Sequence, residues 1–337
     1  MMPKDTQVKG ATQGTMLWNT NVGIKKIKIL NTNKSNMKKR SMSFIGLMLC
    51  VLSFGHAGTI KVVTTTTDMK SIAEVIGGDK VSVSSIATGY QNPHFVDPKP
   101  SYIIGLSKAN LFVTVGLDLE IGWSPQLLTS SRNNKIQKGS PGYVDASEGI
   151  TLYQVPTAAN RGEGDIHIYG NPHYWMDPLN GKIIARNIAN GLERVDPANK
   201  STYETNLKTF DDKIDAKIKE WLTKMAPYKG AKIIAYHNEW VYFEKRFGLQ
   251  IVDFMEPKPG IPPTPSQLVK VINEVKTNHI KVIISSPYFT TSSSDVVAKQ
   301  TGAKTLVLAP STGAFDSIKN YFDLFDYDVT QLIAALK

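Results

Sequence analysis

The sequence predicts an α/β protein with two lobes, each built on a mostly parallel sheet flanked by helices. Short apolar, β-branched runs alternate with longer amphipathic stretches, and this alternation occurs in two series separated by one long helical pattern. Strand–helix alternation implies parallel sheets with right-handed crossovers. A chain of 337 residues also exceeds the usual size of a single domain, which favours two lobes.

Each series contains four predicted strands. The first comprises IKVVTTTT (60–67), VSVSSIA (81–87), LFVTVG (111–116) and GITLYQV (149–155). The second comprises KIIAYH (232–237), LQIVDFM (249–255), KVIISS (281–286) and TLVLAP (305–310). We therefore expect an N-terminal lobe over 58–197 and a C-terminal lobe over 230–337.

One long, rigid helix is predicted to join the lobes over 198–229. Its apolar positions recur at intervals of three and four residues between Tyr203 and Met225. Asp196-Pro197, and a capping box of Ser201 with Glu204 three residues later, indicate its start. Pro227 and Gly230 indicate its end. At about 1.5 Å per residue, a helix of about 25 residues spans about 38 Å.

The first 57 residues are predicted to lie outside the folded protein. Residues 37–57 combine a basic head, an apolar run of 11 residues and terminal small residues, which is the form of a secretory signal peptide cleaved after Ala57. Residues 1–36 are polar and aperiodic, so we expect either a start mis-assigned ahead of Met37 or a disordered leader. The apolar run is too short to cross a bilayer. We expect a soluble, monomeric, periplasmic protein.

Charge and cysteine usage narrow the possible partners and ligands. Residues 1–57 hold nine Lys/Arg and one Asp, which leaves 30 basic and 28 acidic residues in the remainder, so the formal charge of +10 does not indicate nucleic acid as a partner. The only cysteine, Cys50, follows Met48 and Leu49, where a lipoprotein signal would have small residues. Cleavage after Ala57 removes it, so any metal ligands must be His, Asp or Glu.

An internal repeat carries the candidate metal chemistry. NPHFVDP (92–98) and NPHYWMDP (171–178) share one pattern, and each places a histidine in a proline-bounded loop. His237 directly follows the apolar residues KIIAY at the end of a predicted strand, and ligands of open α/β sheets gather at the carboxyl ends of strands. Three neutral imidazoles with one open or carboxylate position suit a tetrahedral zinc site. His94, His173 and His237 are therefore candidate ligands, although any one histidine alone is more often a hydrogen-bonded surface or core residue.

The acidic and aromatic residues of these motifs also have predicted roles. Asp97 and Asp177 either bond to the backbone of their own loops or accept hydrogen bonds from the ligand imidazoles. Five aromatic side chains are expected to wall the site and exclude solvent. They are Phe95, Tyr174, Trp175, Trp240 and Tyr242.

The sequence resembles the zinc and manganese solute-binding proteins of bacterial ABC transporters over nearly all of 58–337. The resemblance rests on six stretches in the family's order: NPHFVDPKPS (92–101), VGLDLEIGW (115–123), NPHYWMDP (171–178), YHNEWVYFEKRFGL (236–249), EPKPGIPPTPSQL (256–268) and YFDLFDYDVTQLIAAL (321–336). It implies metal ligation by His94, His173 and His237. It also implies delivery of the ion to an inner-membrane permease driven by a cytoplasmic ATPase.

The chain departs from the family at two positions that usually carry carboxylates. Ala309 stands where the family usually has Asp, and Ser286 stands where it often has Glu. The fourth ligand is then either Glu256, which should face the cleft, or water. If Glu256 is not a ligand, it is expected to be a solvated loop carboxylate paired with Lys258.

Zinc is the predicted ion, because three imidazoles suit zinc whereas manganese generally prefers more carboxylate oxygen; manganese or iron is the alternative. Binding should weaken as pH falls toward about 6, since the ordinary histidine pKa is near 6.5.

The segment 161–170, with Glu163, Asp165 and His167, is either a shortened metal-collecting loop or a flexible surface loop, whereas His279 is expected to be structural.

Two other functions are alternatives to transport. A catalytic three-histidine zinc site would activate water, but zincin, nucleophile-elbow and phosphate-loop motifs are absent, so no enzymatic activity is expected. Surface attachment, which has been described for exported relatives, has no support in the composition and would be secondary to metal binding.

Overall fold

The computed structural model describes residues 58–157 and 167–337. The predicted leader and signal peptide lie outside the described residues, as do Glu163 and Asp165. No helix within the described ranges is both long and apolar enough to cross a membrane.

The first half of the chain forms a parallel four-stranded sheet in the order β2-β1-β3-β4. The strands are β1 Ile60–Thr64, β2 Val81–Ser85, β3 Leu111–Thr114 and β4 Tyr143–Asp145. Its helices are α1 Thr67–Gly77, α2 Pro100–Ser107, α3 Ser124–Ser131 and α4 Asn180–Val195. The central strand β3 is buried at every position, whereas β2 at the edge is not, which matches the apolar run LFVT and the alternating run VSVSS.

The second half repeats this topology in the order β6-β5-β7-β8, again with parallel pairing. The strands are β5 Lys232–Ala235, β6 Gln250–Phe254, β7 Val282–Ser285 and β8 Lys304–Val307. The helices are α6 Val241–Phe247, α7 Pro265–Asn278, α8 Ser292–Thr301 and α9 Tyr321–Leu336. Two parallel sheets flanked by helices confirm the predicted fold class.

Between the sheets runs α5, Lys200–Met225, a helix of 26 residues that packs against α1, α4 and α9. Its predicted apolar stripe is buried at Tyr203, Leu207, Phe210, Ile214, Trp221 and Met225. The predicted capping box at its start is wrong. A short 3-10 turn at Pro197–Asn199 leads the chain into the helix before Ser201, and the Glu204 carboxylate instead pairs with Arg186 at 3.0 Å.

The predicted strand over 149–155 is also wrong. Gly149 and Gln154 have left-handed φ values of 84° and 54°, which interrupt any extended run. The backbone groups of Tyr153 bond outside a sheet, because its N–H donates to the Tyr242 hydroxyl at 3.3 Å and its carbonyl accepts from the Asn171 N–H at 2.8 Å. The fourth strand of this sheet is the three-residue β4.

The largest apolar core draws on both sheets and on the helices between them. It includes Val62 and Leu111 from the first sheet, Ile233 and Ile284 from the second, and the buried stripe of α5. The helix α9 begins with a capping box, in which the Asn320 side chain accepts from the Asp323 N–H and the Asp323 carboxylate accepts from the Asn320 N–H. The exact lobe boundaries stay a prediction.

Candidate metal centre

Three imidazoles converge from three loops. His94 lies between β2 and α2, His173 lies before α4, and His237 follows β5. One ring nitrogen from each lies within 4.8 Å of the other two, and Nε2 of His94 is 3.2 Å from Nε2 of His173. The three residues are 9%, 2% and 5% exposed. Among the described residues, this cluster is the candidate metal site, and it contains the three histidines that the sequence predicted.

The repeated Asn-Pro-His motif folds into the same turn twice. The Asn92 side-chain oxygen accepts a hydrogen bond from the His94 N–H at 3.0 Å, and the Asn171 side-chain oxygen accepts from the His173 N–H at 3.0 Å. Turns of this kind are favoured by Asn, whose side chain bonds to the backbone two residues later. The repeat therefore presents two histidines in one local conformation. Sequence reasoning stressed its His and Asp and missed the role of Asn.

Two of the imidazoles have their Nδ1 atoms held by side-chain oxygens. Nδ1 of His173 lies 3.0 Å from the Asn171 side-chain oxygen, and Nδ1 of His237 lies 2.6 Å from Oε2 of Glu256. An acceptor at Nδ1 places the proton of a neutral imidazole there, which leaves the lone pair on Nε2 for a metal. Such partners fix ring orientation and raise ligand basicity at metal sites.

Glu256 is buried, and its Oε2 atom also accepts a hydrogen bond from the Gly260 N–H at 3.1 Å. It is therefore not the solvated loop carboxylate considered as the alternative. The carboxylate lies beside Nδ1 of His237, whereas Nε2 is on the other side of the ring. Glu256 is not a member of the three-nitrogen cluster. Its role as the fourth ligand stays a prediction.

Burial keeps two of the imidazoles uncharged. It lowers the pKa of His94 and His173 well below the ordinary histidine value, and the neighbouring imidazoles lower both further. Both rings are therefore neutral at physiological pH, which is the protonation state that binds metal.

A second buried carboxylate, Glu239, was not predicted. It is 1% exposed and accepts hydrogen bonds from the Ser286 and Tyr288 hydroxyls and from the Trp240 indole N–H at 3.2 Å. Burial raises the pKa of Glu239, whereas His237 and the three hydrogen-bond donors lower it. A buried carboxylate thus lies beside Ser286, and it comes from the loop between β5 and α6. The only sequence signal was its place two residues after His237.

The two motif aspartates do not contact the imidazoles. The Asp177 carboxylate accepts two hydrogen bonds from Arg246, at 2.6 and 2.8 Å, and one from the Leu179 N–H at 2.9 Å. Asp97 is exposed. The structure supports the loop-stabilising interpretation for Asp177.

Four of the five aromatic side chains predicted to surround the site are buried: Tyr174, Trp175, Trp240 and Tyr242. Trp175 donates its indole N–H to the Pro310 carbonyl at 2.9 Å, which joins the loop before α4 to the loop after β8. The prediction for Phe95 is wrong, because its side chain is 62% exposed and cannot exclude water from the site.

The two described histidines outside the cluster, His167 and His279, lie in different surroundings. His167 stacks against His94, with ring centroids 5.0 Å apart and planes inclined by 30°. It lines a cavity of about 210 Å³ together with His173 and His237. His279 is exposed at the carboxyl end of α7, with φ at 52°, as expected for a structural residue.

Two parallel β-sheets flanked by helices, a long connecting helix and a buried group of imidazoles define the class of two-lobed metal-binding proteins. The family model described as "Zinc-uptake complex component A periplasmic" (ZnuA) matches residues 62–335. The chain therefore belongs to this family of metal ABC transporter substrate-binding proteins, which is a transporter family and not a family of enzymes. The predicted family is confirmed.

Relatives differ in the metal with which they are associated. The chain is 30% identical over 283 residues to the iron ABC transporter substrate-binding lipoprotein MtsA of Streptococcus pyogenes serotype M1, covering 80% of this chain and 86% of MtsA. It is 29% identical over 247 residues to the manganese ABC transporter substrate-binding lipoprotein PsaA of Streptococcus mitis, covering 71% and 77%. A crystal structure of ZnuA superposes with a TM-score of 0.71 at 26% identity, covering 83% of this chain and all of ZnuA.

Proposed function

We propose that this protein captures one Zn²⁺ ion through the Nε2 atoms of His94, His173 and His237 and delivers it to the membrane permease of an ABC importer. The observation that carries the proposal is the convergence of three buried imidazole nitrogens within 4.8 Å. The protein binds and releases its cargo and catalyses no reaction.

The spacing of the nitrogens suits a small tetrahedral ion. With Zn–N bonds of about 2.0–2.1 Å, two ligand nitrogens of a tetrahedral site lie about 3.3 Å apart. Nε2 of His94 and Nε2 of His173 are already 3.2 Å apart. Only a small inward movement of His237 is needed to complete three ligand positions.

The carboxylates near the site support zinc over manganese. Glu239 is occupied by hydrogen bonds from Ser286, Tyr288 and Trp240, and Glu256 is bonded to the far nitrogen of His237. Ala309 has no oxygen to offer in its side chain. A site with three imidazoles and no freely available carboxylate suits zinc, whereas manganese prefers oxygen ligands. A manganese- or iron-binding subunit of the same type is the second candidate, because relatives of both kinds are found.

Glu256 is more consistent with orienting His237 than with ligation, because its bonded oxygen and Nε2 lie on different sides of the imidazole. The fourth coordination position is then available to another donor. We further propose export through the signal peptide predicted at 37–57 and action as a monomer in the periplasm. The periplasmic description of the matched family supports this location.

The direct test is a competition titration of chelator-stripped protein with Zn²⁺ and then Mn²⁺. The expected result is one tight zinc site per chain, loss of that site in His173→Ala, and no change in His279→Ala, since His279 is exposed far along α7. Equal effects of the two substitutions would refute the assignment. Preference for Mn²⁺ in the unsubstituted protein would favour the second candidate.

A further inference from the structure

We propose that His167 is the fourth imidazole of the metal site and fills the coordination position left open by His94, His173 and His237. This inference rests on the function proposed above, and it gives a role to the histidine beside the site that the three-histidine proposal does not use.

The first evidence is the position of the ring. The imidazole of His167 stacks on that of His94 at a centroid distance of 5.0 Å and lines the same cavity as His173 and His237. Its Nε2 atom is buried and has no hydrogen-bond partner. A buried nitrogen without a partner is unfavourable and rare, and it calls for an explanation such as an ion bound there in the loaded protein.

The second evidence is the loop against which the ring lies. The His167 imidazole lies beside the backbone of Leu117 and Asp118; burial lowers its pKa, whereas this backbone raises it. Both residues have positive φ, 52° and 63°, which non-glycine residues rarely adopt. The buried Glu120 carboxylate holds the turn by accepting from the Val115 N–H at 2.7 Å and the Gly116 N–H at 3.1 Å. Backbone strain of this kind persists where it serves a site.

This arrangement resembles that of the established members of the cluster. His173 and His237 each have an oxygen acceptor from the protein and a second nitrogen facing the cluster. His167 likewise lies against the protein backbone, at Leu117 and Asp118, and has a buried Nε2 atom without a hydrogen-bond partner. It is not a member of the three-nitrogen cluster, so ligation requires its imidazole to move toward the other three.

Four imidazoles would close the tetrahedron and leave no coordinated water. Closure of that kind strengthens binding and slows spontaneous release of the ion. The competing explanation is that the His167 ring only stacks on His94 and shields it from solvent. The two explanations differ in whether the nitrogen atoms of His167 are needed.

The test compares His167→Ala and His167→Phe in the full chain, because Phe keeps an aromatic ring for stacking but has no ligand nitrogen. Zinc affinity is measured by chelator competition, and Co²⁺ is used as a visible-absorption probe of the coordination sphere. We expect both variants to bind one zinc ion about tenfold or more weakly, in line with the losses seen when a metal site is perturbed. We also expect both to show the same altered Co²⁺ spectrum, since solvent would replace one imidazole.

The outcomes separate this inference from the proposed function. An unchanged zinc affinity and Co²⁺ spectrum in both variants would overturn it, as would an effect of Ala that Phe restores. Loss of binding in His173→Ala alongside unaltered His167 variants would leave the three-histidine function intact. Retained binding in His173→Ala would instead defeat the proposed function itself. His279→Ala is the matched control, and the thermal midpoint of each metal-free variant shows whether it folds.

Discussion

The strength of each imidazole as a ligand depends on what holds its second nitrogen. We predict that Glu256→Ala weakens zinc binding by about 10- to 100-fold, because His237 would lose the acceptor that fixes its ring and raises its basicity. Competition titration measures the change. Glu148→Ala, which removes an exposed carboxylate, is the control and should leave affinity unaltered. Unchanged binding in Glu256→Ala would contradict the orienting role.

Buried imidazoles also change the expected pH dependence. The ordinary histidine pKa predicted weakening toward pH 6, but burial lowers the pKa of His94 and His173 well below that value. Protons then compete with zinc at these two ligands only at pH values below their lowered pKa. We predict that zinc affinity changes little from pH 7.5 to 6.5 and declines at more acidic pH. Three ligands with the ordinary pKa of about 6.5 would lose about sixfold in affinity over that interval, so a loss of that size, measured by competition titration, would contradict this account.

At the residue level, sequence reasoning found the three histidines because each lies in a local motif. It could not find Glu239, because the role of that carboxylate depends on Ser286 and Tyr288, which lie more than 40 residues later in the chain. It also left His167 undecided between two loop interpretations. The contact of His167 with His94 is made by tertiary structure alone.

At the level of elements, the two Asn-Pro-His turns are similar locally but are tied differently to the rest of the fold. The side-chain oxygen of Asn171 accepts from the His173 N–H and lies 3.0 Å from His173 Nδ1. The side-chain NH2 group of Asn171 also donates to the Asn238 carbonyl at 2.7 Å. The Asn92 side chain accepts the turn bond from the His94 N–H, at 3.0 Å. We predict that Asn171→Ala lowers the free energy of unfolding of the metal-free protein by about 1–3 kcal/mol, the cost of leaving buried polar groups unpaired.

The matched variant Asn92→Ala should cost less stability and less zinc affinity than Asn171→Ala. Denaturant unfolding and competition titration of the two proteins check both expectations. Equal losses in the two variants would show that the turn bond, shared by both, carries the whole effect.

Strands with three or more apolar or β-branched residues in succession could be predicted from the sequence, as β1, β3, β5 and β7 show. The segment 149–155 has a similar composition, yet it is apolar because Leu152 and Tyr153 pack on the core from an irregular loop. The strand β4 offers only three residues, too few for a periodic signal. In these cases an apolar composition indicates that a segment is buried, but it does not indicate whether its backbone groups form hydrogen bonds within a sheet.

For the whole molecule, hydrogen bonds between α1 and the loop after β8 join the two halves of the chain. The Asp68 carboxylate in α1 accepts from the Thr312 N–H at 2.8 Å and from its hydroxyl at 3.0 Å, and the Thr67 hydroxyl donates to the Thr312 carbonyl at 2.6 Å. Together with the long helix α5, these bonds couple the loop after β8 to the first sheet. An ion held by ligands from both halves should therefore stabilise the folded molecule as one unit.

We predict that zinc at a free concentration 100 times its Kd raises the free energy of unfolding by about 2.7 kcal/mol. Denaturant unfolding with and without zinc measures the difference, and chelator should reverse it. His173→Ala should gain no such stabilisation. Equal stabilisation of the variant would mean that zinc acts elsewhere on the protein.

The most direct test of the central claim is anomalous diffraction at the zinc absorption edge from crystals of the zinc-loaded protein. The account predicts a single strong peak about 2.0–2.1 Å from Nε2 of each of His94, His173 and His237. A zinc peak bound by other residues, or one in contact with fewer than these three imidazoles, would contradict it.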